Sequence, residues 1–286
     1  MTMTLRTLVL ATALMLAAGA ALAQPDTHDA DAPLRVAADV GFAPFAMTQA
    51  DGSTVGFSVD VGEEIASRLG RPGVEVVDVN FSAIFSGLYS ERFEFIIAPT
   101  NITEERSAEM LFTEGYMQTG LGFTIRADES LDDLSDLDGE TVSVNNGSVS
   151  DDWATANADE YGFDVQRFDK NADAIQAVLT NRAVANIADL PASQYAATQN
   201  DRVKVDFIVY TGNNFGFPFR PADVEFRNRV ERIVEAMKLD GTFASIHEEW
   251  FGDTPGPDSA MSKVWVGYGH PGFEGYAFEP HQPGND

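Results

Sequence analysis

Phe95-Ile96-Ile97-Ala98-Pro99-Thr100-Asn101-Ile102-Thr103-Glu104-Glu105-Arg106 is the stretch from which the fold class can be read. Phe95 to Ala98 is a short apolar run of strand character. Asn101 and Thr103 mark a helix start directly after it, and Arg106 falls in that first helical stretch. A strand that passes straight into a helix start is half of a βα unit, and the same joint recurs along the chain. Leu34 to Ala38 reads as a strand, followed by a helix from Val59 to Leu69 with Val61, Ile65 and Leu69 on one face. Val74 to Val79 reads as another strand, with a helix through Ile84, Phe85 and Leu88 between it and Phe95. This alternation predicts an α/β protein with parallel sheet.

Around 118 the pattern starts again. The acidic stretch from Leu131 to Gly139 is turn-forming; after it, Thr141 to Val144 and Val184 to Ala188 read as strands, with helices beginning near Ser148, Asn171 and Leu190. Apolar residues at Val230, Ile233, Val234 and Met237 define a helix from about Ala222 to Leu239, and Phe243 to Trp250 form another. The expected organisation is a first lobe from 33–117 plus 214–252 and a second from 118–213. The remaining 253–286, rich in Pro, Gly and aromatic residues, is expected to pack on the body in extended form, which takes Trp265, Tyr268, Phe273, Tyr276 and Phe278 out of full contact with water.

The termini and composition narrow the function classes. Met1 to Ala23 has Arg6 as its single charge, an apolar stretch from Leu8 to Leu22 and small residues at Ala21-Leu22-Ala23, the pattern of a cleaved secretory signal peptide. A flexible leader is expected over 24–32. The chain has no cysteine, so neither disulfides nor thiol-linked lipid enter, and a periplasmic protein is expected. Forty-five acidic residues against 18 basic give a net charge of −27, which repels nucleic acid and anionic membranes. Four scattered histidines lack metal-ligand spacing, and there is no phosphate-binding glycine loop, so no cofactor and no metal are expected.

Two charged residues stand beside helix starts in different halves of the chain. Arg106 can grip a carboxylate through its planar fork, and the helix starts at Asn101–Thr103 and at Asn145-Asn146-Gly147-Ser148-Val149-Ser150 offer free backbone N–H groups to the same anion. Asp189, in Ala188-Asp189-Leu190-Pro191, can accept from an ammonium group. Taken singly, Arg106 reads equally as a surface ion pair and Asp189 as a helix cap. Together, after strand ends in opposite lobes, they suit the two ends of a free amino acid.

The segments Gly41-Phe42-Ala43-Pro44-Phe45, Gly56-Phe57-Ser58-Val59-Asp60-Val61, Ile96 to Arg106, Thr141 to Ser150, Ala188 to Pro191, and Asp240-Gly241-Thr242-Phe243 through Glu249-Trp250-Phe251-Gly252 occur in an order and spacing that resembles the type 3 extracellular solute-binding proteins of ABC importers. The resemblance spans roughly 34–252. It implies the type II periplasmic-binding-protein fold, a Venus flytrap of two α/β lobes joined by two hinge strands. It also implies an inner-membrane ABC permease as partner, a small zwitterion as ligand, lobe closure in place of catalysis, and a monomer. In that family pattern Arg106 binds the α-carboxylate with Thr103 and the Ser148-Val149 turn, while Asp189 and Asn101 hold the α-amino group. Phe42 and Phe81 line the ligand side chain, and Asp39 meets its distal end, favouring a polar or basic amino acid. Ser58 and Pro99-Thr100 depart from the family pattern. The same resemblance leaves two alternatives: a receptor for another zwitterion such as ectoine, caged by Phe42, Phe45, Phe81 and Phe217, and a cyclohexadienyl dehydratase-like enzyme.

Overall fold

A computed structural model describes residues 31–284 of the chain. The signal peptide and most of the leader expected from the sequence lie outside the described residues. The body is two α/β lobes. In the first, three parallel strands run side by side in the order Val74–Asp78, Leu34–Ala38, Phe95–Ile96. Helices α1 (Phe57–Arg68) and α2 (Phe81–Tyr89) connect them. Each turns an apolar stripe inward: Val61, Ile65 and Ala66 from α1, and Ile84 and Leu88 from α2, are fully buried. A short helix α3 (Glu104–Glu109) follows, with Thr103 as its N-cap.

The second lobe carries a five-stranded sheet in the order Asp164–Phe168, Thr141–Asn145, Ala185–Asp189, Leu121–Arg126, Val203–Val209. Here one strand departs from the parallel pattern of the βαβ units. Leu121–Arg126 runs antiparallel to both of its neighbours. It arrives from the first lobe and needs no helical crossover to reach its place, which is the usual origin of an antiparallel member in such a sheet. Helices α4 (Val149–Tyr161), α5 (Asn171–Leu179) and α6 (Leu190–Gln199) complete this lobe.

The chain passes between the lobes twice. Met117–Gln118 leads out and Asn214–Gly216 leads back, and the two segments pair antiparallel through Asn214 with Gln118 and Phe215 with Met117. Asn214–Gly216 also pairs antiparallel with Thr100–Asn101 on its other side, so the return segment is the middle strand of a three-stranded sheet. After the return, α7 (Val224–Asp240) and α8 (Thr242–Phe251) pack on the first lobe.

Residues beyond Gly252 form no helix or strand among those described apart from an isolated bridge between Tyr268 and Ala277. They lie over the charged side of α7. Glu114, Glu231 and Glu235 are fully buried there beside Arg227 and Lys238. The segment supplies donors to these carboxylates: Gly269 N–H to Glu231 at 2.7 Å and Trp265 N–H to Glu114 at 2.8 Å. Burial pushes the Glu231 and Glu235 carboxyls up to about 8.

Phe45 is the aromatic hub of the first lobe. Its ring lies 5.7–5.8 Å from those of Phe42, Phe57, Phe215 and Phe251, contributed by the loop after the first strand, α1, the return segment and α8. One fully buried ring therefore ties the hinge to both the core and the loop carrying Phe42. Phe45→Ala should lower the free energy of unfolding by about 3–5 kcal/mol, measured by urea denaturation.

Candidate functional site

Parallel strands of an α/β sheet deliver their C-terminal ends to a common edge, and that edge is where the two lobes meet. Asp39 follows the strand Leu34–Ala38, Asn101 lies just beyond Phe95–Ile96, Asn145 ends Thr141–Asn145, and Asp189 ends Ala185–Asp189. These residues surround a tight cavity between the lobes. Eight of the nine residues expected from the sequence line it: Asp39, Phe42, Phe81, Asn101, Arg106, Ser148, Val149 and Asp189. Ala98, Pro99 and Asn145 complete the wall.

Thr103 is the exception. Its hydroxyl accepts the Arg106 backbone N–H at 3.2 Å and caps α3, so it fixes the start of the helix that carries the arginine rather than the wall. Ser58 does not reach the cavity either; it is fully buried in α1. The aromatic cage of four phenylalanines is also corrected. Phe45 and Phe217 are fully buried in the first-lobe core, leaving Phe42 and Phe81 in the wall. A larger and more open depression lies elsewhere on the second lobe, lined by Asp128, Glu129, Asp136 and Glu140 with Lys204.

Arg106 is held by flat, weakly polar surroundings. Its guanidinium lies 5.5 Å from the Phe81 ring centre and 5.2 Å from that of Phe85. It donates to the Asn101 carbonyl in its own lobe and to the Gly147 carbonyl across the cleft, both at 3.3 Å. These are long bonds, and the remaining N–H groups of the fork are left for an anion. Gly147 has φ of 77° and a Cβ there would come within 3.1 Å of Ser82 Cα in the opposite lobe. Only glycine meets both demands, so the turn before α4 can approach closely enough to face the arginine. Burial lowers the Arg106 pKa, while Asp152 and Asp189 act against that shift.

Asp189 is buried and is the N-cap residue of α6, yet its side chain makes no capping bond. Its Oδ1 instead accepts from Asn101 Nδ2 at 2.8 Å, across the cleft, and from Thr119 Oγ1 at 3.3 Å. The helix-cap reading therefore does not account for the carboxylate. Desolvation raises its pKa to about 6 despite the two donors and Arg106.

Asp39 faces the cavity from the first lobe with both oxygens engaged from the second. Asn145 Nδ2 donates to Oδ2 and Lys170 Nζ to Oδ1, each at 2.8 Å. Lys170 also binds Asp78 at 2.7 Å. Asn145 was within reach of sequence reasoning, since it opens the glycine-bearing turn already singled out. Lys170 was not, because nothing near it in the chain marks a partner 131 residues away.

The profile described as bacterial extracellular solute-binding proteins, family 3, matches residues 34–253. The L-arginine-binding protein of Pseudomonas aeruginosa is 26% identical over 234 residues, covering 79% of this chain and 90% of that protein. The lysine/arginine/ornithine-binding periplasmic protein of Escherichia coli K12 is 26% identical over 229 residues, 76% of this chain and 87% of that protein. Among solved structures, an ancestral arginine-binding protein bound to arginine superposes with a TM-score of 0.72 at 31% identity, covering 77% of this chain and 98% of that one. An ancestral amino acid-binding protein, a precursor of cyclohexadienyl dehydratase, gives 0.70 at 30% identity, covering 77% and 95%.

Because Asp189 holds its proton more tightly folded than unfolded, its favourable contribution is complete below about pH 4 and is lost as pH rises through about 6. Asp189→Asn removes this cost. In the absence of ligand the variant should gain stability over the parent as pH rises from 4 to 7, reaching on the order of 3 kcal/mol, as read by urea denaturation at each pH.

Proposed function

The chain belongs to the bacterial extracellular solute-binding proteins, family 3, and from that premise we propose that it captures a free amino acid by lobe closure and delivers it to an ABC permease in the inner membrane. The observation that carries this reading is the pairing, inside one small cavity, of a cationic fork and a buried carboxylate from opposite lobes. Arg106 takes the α-carboxylate, assisted by the N-terminus of α4 at Ser148 and Val149. Asp189, steadied by Asn101, takes the α-ammonium. A ligand held this way satisfies two buried charges that otherwise face only partial partners.

Closure follows from where the donors sit. A ligand touching both lobes binds the closed state better than the open one, and the population shifts by that difference. Phe42 and Phe81 line the side-chain end of the cavity, where a polar or basic amino acid is favoured. The ligands printed in the names of the arginine and lysine/arginine/ornithine binders support that class. Function here is binding rather than catalysis. The periplasm is the proposed location, in line with the periplasmic protein named among the relatives.

The test is a thermal-shift screen of free amino acids, in which a ligand at ~100 times its dissociation constant adds about 2.7 kcal/mol of stability. Arg106→Ala should weaken the best hit by about 100-fold or more while leaving the folded structure intact. An unchanged affinity would remove the carboxylate assignment. Binding should also be flat near neutral pH and weaken by up to tenfold per unit below about pH 6, as Asp189 takes up a proton and can no longer serve the ammonium. Turnover of prephenate would overturn the binding reading in favour of the dehydratase alternative.

A further inference from the structure

Asp39 is the third charged group of the cavity wall and the one that faces the side-chain end of an amino acid ligand. Neither of its oxygens is free. Lys170 reaches over from the second lobe to Oδ1, and Asn145 occupies Oδ2. The lysine is built into this place: its stem lies against Gly41, where a Cβ would stand 3.7 Å from Lys170 Cδ, and Asp78 holds the same ammonium from its other side. An ammonium on Asp39 is the group a lysine or ornithine ligand would itself bring.

We propose that Lys170 is a specificity-determining residue that neutralises Asp39 on closure and restricts the site to neutral polar amino acids at the expense of arginine, lysine and ornithine. The inference rests on the amino acid reading given above and selects within its polar-or-basic class. Occupancy of Asp39 supports it. Lys170 and Asn145 hold its two oxygens, Asp78 shares the Lys170 ammonium, and a zwitterion with a neutral side chain leaves this network intact. A basic side chain adds a positive charge that meets the Lys170 ammonium, and it can reach Asp39 only by displacing a partner already in place.

A second observation points the same way. With Nδ2 committed to Asp39, Asn145 Oδ1 is buried without a hydrogen-bond partner among the described residues. The wall therefore offers one acceptor to a donor on the ligand side chain, and a carboxamide N–H₂ or a hydroxyl can use it without bringing a further positive charge beside Lys170.

Calorimetric titration of the ligand-stripped full chain with glutamine, asparagine and serine, and with arginine, lysine and ornithine, decides the matter. The best neutral ligand should bind at least tenfold more tightly than any basic one. Lys170→Met, or Lys170→Gln if the first variant folds poorly, should bring a tenfold or greater gain for the basic ligands by freeing Asp39. Arginine binding more tightly than every neutral amino acid would overturn the proposal, as would a neutral-to-basic ratio unchanged in both variants. If no amino acid binds the parent or either variant, the amino acid reading falls first, a result distinct from measurable binding with the opposite preference.

Discussion

Asp189 carries a carboxylate where water does not reach, and the side chain that holds it most closely belongs to the other lobe. The second-lobe strand delivers the group, the first-lobe loop after Phe95–Ile96 supplies Asn101, and the outgoing hinge segment is followed by Thr119. A buried charge left half-met is costly, so the lobes have a reason to come together at this point. Much of the surrounding architecture serves that meeting. The two sheets turn their strand ends toward each other, the helix starts face the same gap, and the antiparallel pairing of Met117–Gln118 with Asn214–Gly216 keeps the lobes in register while allowing rotation.

The aromatic core connects this polar seam to the mass of the protein. Phe42 touches both the cavity and Phe45, and Phe45 touches Phe215 on the returning hinge segment. A change in how Phe42 is packed is thus felt at the strand about which the lobes turn. Recognition and motion share one set of rings, and close packing leaves those rings little room to move independently.

The fold class and most of the cavity wall could be read from the chain because their signals are local. Val61, Ile65 and Leu69 repeat at helical spacing, the strand Thr141–Asn145 is bounded by a turn, and Arg106 follows a strand and a helix start within a dozen residues. What escaped depends on contacts that the local pattern does not encode. The antiparallel direction of Leu121–Arg126 depends on the lobe from which the chain arrives. Lys170 becomes meaningful only when Gly41 and Asp78 of the other lobe lie against it, and Thr103 proved a cap because its hydroxyl meets a backbone N–H three residues on. Phe45 and Phe217 have the composition of a cage, yet their neighbours place them in the core.

The segment beyond Gly252 continues past the family match, which ends at residue 253, but the packed interior continues with it. Backbone N–H groups of Trp265 and Gly269 reach carboxylates that have no access to solvent, and the His281 ring stacks on Tyr268 with centres 3.9 Å apart. The domain as a folding unit is therefore longer than the domain as a family pattern. A boundary drawn by similarity would cut through a layer of the interior, and two chains alike over 34–253 need not be alike in what shields α7.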